Sequence, residues 1–302
     1  MQKDEVKQSS SFTIGSKLKD YMLLVKMSLS IMVVFSAVVS YLLAPHVQFF
    51  WPRILLIALG GFLVTASANA VNQIVEKDTD ALMKRTAKRP VASGTMKAQE
   101  AWTFAIASLI LGLFILGFYF NLTSALIAFA SWFMYAYMYT PMKKVSSFSV
   151  LMGAVPGALP CLIGWTAGFP AGAEISWAGG WSLFAIQFFW QFPHFWAIAW
   201  IAHKDYSAAG FKMLPSNAGP TKFSAIQAII YSLLLIPAGV VPYFIGMSGY
   251  VSLWIVLAAN LFMVIQSVRL YYEMTSAAAR RVMFSSYLHL PVVLLSLLAD
   301  KV

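Results

Sequence analysis

The chain has 302 residues, of which 60% are hydrophobic and only 11% charged, and it carries a net charge of +10. Soluble domains run near 25% charged, so this composition excludes a water-soluble globular protein and indicates one helical membrane bundle rather than several large domains. A single cysteine, Cys161, excludes an intramolecular disulfide.

Residues 1–22 mix acids and bases without an apolar core and read as a cytoplasmic N-terminal tail. They resemble neither a cleavable signal peptide nor an acid-poor mitochondrial presequence. Residues 23–302 form the membrane domain. A spanning helix takes about 20 predominantly apolar residues. Nine runs qualify, at roughly 25–44, 53–75, 101–120, 122–140, 148–168, 180–202, 223–246, 249–270 and 283–299. The expected fold class is therefore all-α: a polytopic membrane protein of about nine transmembrane helices in one bundle. With nine crossings, 19 of the 21 Lys and Arg residues fall on the side of the N-terminus, and only Arg53 and Lys301 on the other. The positive-inside rule then puts the N-terminus in the cytoplasm and the C-terminus outside, with a bacterial inner membrane as the simplest setting. Topology and attraction to anionic headgroups account for the +10, so no nucleic acid partner is needed.

The second run ends in VNQIVEKDTDALMKRTAKRP, residues 71–90. Asn72, Glu76 and Asp80 recur every four residues, and on an α-helix they spread over roughly 80° and line one face. Charged groups near the middle of a membrane helix cost about 2.5–3.5 kcal/mol each, so two carboxylates on one face require a partner. A carboxamide and two carboxylates are hard oxygen ligands, the kind magnesium takes together with substrate phosphates. Asp78 points elsewhere. Lys77, Lys84, Arg85, Lys88 and Arg89 are interspersed or follow, and Pro90 argues against a continuing helix. Acids beside bases suit a substrate bearing both metal and phosphate, with the bases on the remaining phosphate oxygens. Taken alone, the basic residues would be an ordinary positive-inside loop; the acidic stripe is what asks for a ligand.

The segment YTPMKKVSSFSVLMGAVPGALPCLIGW, at 139–165, puts Lys143 and Lys144 at the cytoplasmic surface. Its Gly153, Gly157 and Gly164 permit close helix approach. The sixth run and its exit read QFFWQFPHFWAIAWIAHKDYSAAGFKMLP. Gln191 and His194 lie inside it, Pro193 bends it, and Trp190, Phe192, Phe195 and Trp196 surround them. His203, Lys204, Asp205 and Tyr206 form the cytoplasmic edge, on the same side as Glu76 and Asp80. Two acid-bearing helix ends at one surface can hold one metal–diphosphate cluster between them. For His194 an interhelical hydrogen bond and a ligand role stay open, and Lys204 with Asp205 could equally be a surface pair of little worth. One cysteine and four scattered histidines give no zinc spacing, and no Walker loop, dinucleotide fingerprint or serine elbow occurs.

NQIVEKDTDALMKRTAKRPVASG resembles the first signature of the UbiA-type intramembrane prenyltransferases, N-x-x-x-D-x-x-x-D, with Glu76 at the middle position. That exchange keeps the carboxylate and lengthens its reach. The extension M-x-R-T-x-x-R-P, carried by Met83, Arg85, Thr86, Arg89 and Pro90, resembles the branch that farnesylates protohaem IX. So does WQFPHFWAIA followed by KDYSAAGFKMLP, and the YTPMKK and IGW segments also fit. The resemblance covers residues 20–300. The family's second acidic motif usually has two Asp four apart, and here Asp205 is the one clear counterpart.

The resemblance implies nine transmembrane helices around a central cavity, dependence on Mg2+, and two substrates, farnesyl diphosphate and haem B. The implied product is haem O, made with release of pyrophosphate and addition of water, for haem-copper oxidase biogenesis, with a downstream haem A synthase as a partner. Asn72, Glu76, Asp80 and Asp205 are then the catalytic and metal-binding residues. Lys77, Arg85, Arg89, Lys204 and Tyr206 take the diphosphate, and His194 contacts haem. Two readings compete: the same fold acting on an aromatic quinone precursor, and a non-catalytic haem or isoprenoid carrier. The M-x-R-T-x-x-R-P and WQFPHFW segments argue against the first. A transporter keeps its acids near the midplane, whereas these cluster at one surface beside bases.

Overall fold

The structure is a computed structural model that describes residues 14–45, 47–216 and 218–302. Most of the expected N-terminal tail, including Lys3 and Lys7 of the charge count, lies outside the described residues. In chain order the helices are α1 (Ile14–Leu24), α2 (Met27–Leu43), α3 (Trp51–Val75), α4 (Lys77–Leu82), α5 (Pro90–Ser93), α6 (Ala98–Tyr119) and α7 (Leu122–Phe133). A π-helical segment, Met134–Tyr139, continues α7 into α8 (Thr140–Met142). Then come α9 (Ser149–Ala167), α10 (Trp177–Ile201), α11 (His203–Ala208), α12 (Lys222–Phe244), α13 (Tyr250–Glu273) and α14 (Ser276–Ala299).

Among the described residues, long helices occupy all nine expected positions. Seven are long and apolar enough to cross a membrane, and an eighth if α1 and α2 count as one span bent by 53°. The ninth, α10, has 25 residues, but its Gln, His and Trp side chains make it less apolar. It does not need to be, because it sits inside the bundle: α9, α12 and α14 all pack on it. One flank of the bundle is α2, α3, α6 and α7, with α2 and α7 packed on α9 and α6 on α3; the other is α12, α13 and α14, with α12 and α14 packed on α10 and α13 packed on both of them. The α9–α10 and α14–α2 contacts join the flanks into a ring. Beyond α14, the Lys301 ammonium donates to the Leu42 and Ala44 carbonyls at 2.8 and 2.7 Å, capping the C-terminus of α2.

The central position of α9 follows from its glycines. A Cβ on Gly164 would collide with the Ala37 carbonyl of α2, and one on Gly153 would stand 2.7 Å from the Tyr139 ring. Small residues let backbones approach in a membrane. Pro160 has no N–H for the Pro156 carbonyl, and Ser131 of α7 donates to that oxygen instead, at 3.0 Å. Such replacement is obligatory where no water is available. Gly164→Ala should therefore lower stability by about 1–3 kcal/mol through overpacking, read as an earlier melting temperature of the detergent-solubilised protein.

The break between α1 and α2 matters most for the site. Lys26 there takes a left-handed backbone conformation with φ 50°, which costs a non-glycine residue about 1–2 kcal/mol. The helix hydrogen bonds lost at the break are replaced from α3. Gln73 donates to the Leu23 and Leu24 carbonyls at 2.8 and 3.0 Å, and Asn69 donates to Val25 at 3.0 Å. These amides hold the turn in place, and the turn aims the Lys26 side chain back at α3.

Candidate active site

The acidic stripe does not lie on one continuous helix. α3 ends at Val75, Glu76 is the joint with φ −93° and ψ 7°, and Asp80 stands on α4. The Glu76 N–H still donates to Asn72 and the Asp80 N–H to Glu76, so the four-residue hydrogen-bond ladder runs through the joint and keeps all three side chains on one face. That face points inward. Asn72 and Asp80 are fully buried and Glu76 is 5% exposed.

Each of the three meets its own cation. The Lys26 ammonium donates to Asn72 Oδ1 at 2.8 Å. The Lys143 ammonium donates to Glu76 Oε1 at 2.8 Å. The Arg89 guanidinium donates through one nitrogen to both Asp80 oxygens, at 2.8 and 2.7 Å. Asn72 also donates to the Thr140 hydroxyl at 3.2 Å, and that hydroxyl donates to the Tyr135 carbonyl in the π segment at 2.9 Å. In the π segment the Tyr135 carbonyl accepts from both the backbone N–H and the hydroxyl of Thr140, and the segment brings the following turn, with Lys143, over the stripe. Tyr139 completes the wall, its ring 4.5 Å from the Lys143 ammonium. Burial pushes the Asp80 carboxyl above its ordinary value, and the adjacent Arg89 charge and hydrogen bonds partly pull it back.

The loop after α4 has a reason for its sequence. Met83 is buried beside Phe211 and Trp196. The Thr86 hydroxyl donates to the Asp80 carbonyl at 2.9 Å, and the turn hydrogen bonds at Met83, Thr86 and Arg89 fold the chain back on itself. Arg89 thereby reaches Asp80, nine residues earlier, and Pro90 opens α5 where a missing N–H is harmless.

The other expected residues divide into groups. Arg85 and Tyr206 meet at the rim: the guanidinium donates to the phenol oxygen at 3.1 Å and lies 5.6 Å from the ring. This bond joins the loop after α4 to α11. Lys77, Asp78 and Lys204 are exposed, and Asp205 is half-buried without a side-chain bond to the stripe. His194 lies apart in the core, stacked on Trp190 at 4.7 Å with its Nδ1 2.8 Å from the Ser286 hydroxyl. One expectation needs correcting. Lys143 is not a surface residue like Lys144: it is buried against Glu76, because the π segment turns it inward. Lys26 was likewise only one of the positive-inside charges. The signal available for both was position, a lysine at a helix break or just past a Thr-Pro pair.

Two cavities lie nearby. One of about 300 Å³ is walled by Phe192, Trp196 and Tyr231 between α10 and α12. The other, about 260 Å³, lies over α11 and is lined by His203, Tyr206, Phe211 and Lys212. Neither is lined by Asn72, Glu76 or Asp80.

Residues 33–289 match the UbiA prenyltransferase family. This chain belongs to the UbiA prenyltransferase family. It is 42% identical over 289 residues to protoheme IX farnesyltransferase of Cytophaga hutchinsonii, covering 96% of this chain and 100% of that protein. The protein of the same name from Flavobacterium johnsoniae is 39% identical over 299 residues, covering 97% of each. Among solved structures, one of a digeranylgeranylglyceryl phosphate synthase superposes with a TM-score of 0.76 at 20% identity, covering 94% of this chain and 98% of that one. A UbiA homolog from Archaeoglobus fulgidus bound to GPP and Mg2+ gives 0.65 at 18% identity, covering 92% and 99%. These two likenesses establish the UbiA fold.

The donor set of this UbiA prenyltransferase fits magnesium of one particular kind. It offers hard oxygens only, from a carboxamide and two carboxylates facing inward. Among the described residues no three Asp, Glu, His or Cys side chains gather into a metal site. Magnesium held by one or two carboxylates and completed by substrate phosphates needs no such cage.

Proposed function

We propose that this chain transfers a farnesyl group from farnesyl diphosphate to a vinyl carbon of haem B, giving haem O and pyrophosphate for haem-copper oxidase biogenesis. The observation that carries the diphosphate half is the buried stripe in which Asn72, Glu76 and Asp80 each meet a cation. The haem half rests on the relatives of that name and on the sequence segments shared with the haem-farnesylating branch. Residues 1–22 are a cytoplasmic tail, and residues 23–302 a single domain in a bacterial inner membrane with the C-terminus outside. A downstream haem A synthase would consume the product.

Asn72, Glu76 and Asp80 would hold Mg2+, with Asp205 reaching the cluster from α11. When bound, the ion neutralises charge that gathers on the departing pyrophosphate. Arg89 and Lys143 bind the phosphate oxygens, and Arg85, oriented by Tyr206, closes on them from the rim, with Lys77 and Lys204 as exposed steering charges. These groups are in place before the C–O bond breaks, so stabilising the leaving group requires little reorganisation. The bond electrons leave with pyrophosphate, and the allylic cation is attacked by the vinyl π electrons of haem. Water adds to the new cation beside the porphyrin and loses a proton. The protein supplies no covalent nucleophile; its task is to keep water out until the carbon–carbon bond has formed. His194 offers haem a ring nitrogen, Nε2, that no protein hydrogen bond occupies.

Mass analysis of haems extracted from cells with and without the gene tests the reading directly. A gene-dependent conversion of haem B to haem O is expected; unchanged haem B with a prenylated quinone would select the competing acceptor. Tyr206→Phe removes only the acceptor of a rim bond. It should leave stability within about 0.5 kcal/mol and raise KM for farnesyl diphosphate several-fold with kcat little changed, the pattern of lost uniform binding.

A further inference from the structure

Three of the four side chains assigned to the metal, all but Asp205, each meet one basic group: Lys26 with Asn72, Lys143 with Glu76 and Arg89 with Asp80. We infer that Lys26, Arg89 and Lys143 are place-holding cations that shut a divalent ion out of the stripe until a diphosphate arrives, so that metal and diphosphate bind as a pair. The inference rests on the diphosphate site proposed above and deepens it.

Charge is the reason. Each of the two buried carboxylates already carries a basic partner, Arg89 on Asp80 and Lys143 on Glu76, so the stripe offers an incoming ion no uncompensated negative charge. A divalent ion entering alone would add two positive charges beside these bases within a buried space, where like charges repel strongly. To coordinate, it must also take the same oxygens that the cations already hold. The displaced cations then need an anion, and the acids near them are the ones just taken. A diphosphate brings the negative charge that the metal and the displaced bases both need. Its oxygens receive the ammonium and guanidinium groups as the carboxylates turn to the metal. The coupling is reciprocal by necessity.

The experiment measures Mn2+ binding to the purified full chain by the paramagnetic resonance signal of the free ion, with no phosphate present. The wild type should bind weakly, and Lys143→Met, which frees the Glu76 carboxylate, should bind at least tenfold more tightly and be stabilised against heat by the ion. Tight metal binding by the wild type alone overturns the inference, and so does a folded Lys143→Met protein that gains nothing. If that variant does not fold, Lys26→Met is read in the same way. A separate arm adds the unreactive farnesyl thiodiphosphate and asks whether Mn2+ stays with the wild-type protein through gel filtration. Retention is expected; failure there removes the diphosphate site itself, a result distinct from an uncoupled metal.

Discussion

Glu76→Gln and Asp80→Asn should each lower farnesyl transfer by about a thousandfold or more, equivalent to about 4 kcal/mol at the transition state, while the protein still inserts and folds. Each change keeps the size of the side chain and a carbonyl oxygen. What disappears is one of two negative charges able to draw a divalent ion into a site already rich in cations. Part of the damage is structural. Glu76→Gln leaves the Lys143 ammonium buried without its carboxylate, though still 4.5 Å from the Tyr139 ring, and should cost about 1–3 kcal/mol of stability. The double variant Glu76→Gln, Lys143→Met separates the two effects. It should recover most of the melting temperature and none of the activity. Wild-type rates for either single variant at ordinary magnesium concentrations would dismiss the metal assignment.

Arg89→Ala should be the most destabilising change at the site. It leaves a fully buried Asp80 carboxylate whose two oxygens had both accepted from the guanidinium. Removing one member of a buried pair costs about 3–5 kcal/mol. Arg89→Lys keeps the charge but replaces the weakly hydrated guanidinium with a compact, strongly hydrated ammonium, so it should restore stability only in part and turnover poorly. The loss should depend on pH with a definite sign. Burial already raises the Asp80 carboxyl above its unfolded value, and Arg89 is what restrains it. Without Arg89 the rise is larger. The folded variant then binds a proton that the unfolded chain does not, so its stability falls as pH increases through that interval and recovers on acidification. The melting temperature of Arg89→Ala should therefore rise on acidification relative to wild type. An identical pH profile for the two proteins would show that Arg89 does not carry the Asp80 charge.

The nine helices, the inward stripe and the M-x-R-T-x-x-R-P loop were all legible in the residues, for simple reasons. A membrane admits only helices of a set length, and a four-residue spacing survives even the joint at Glu76, because the local hydrogen bonds continue through it. Glycines at 153, 157 and 164 marked α9 as a helix that others approach closely, and α2, α7 and α10 all pack on it. What sequence could not convey was which cation meets which acid. Lys26 lies 46 residues from Asn72, and Lys143 lies 67 from Glu76. Both counted only as positive-inside charges, since a charge count has no direction. Their inward course depends on a left-handed turn and a π-helical segment, which are features of packed backbones and leave no periodicity to read. Composition and spacing thus determined the bundle and the face that holds the acids, because each depends on one helix against lipid. Tertiary structure alone decided the pairing of charges, because an ion pair between distant segments exists only once helices from different parts of the chain have packed together.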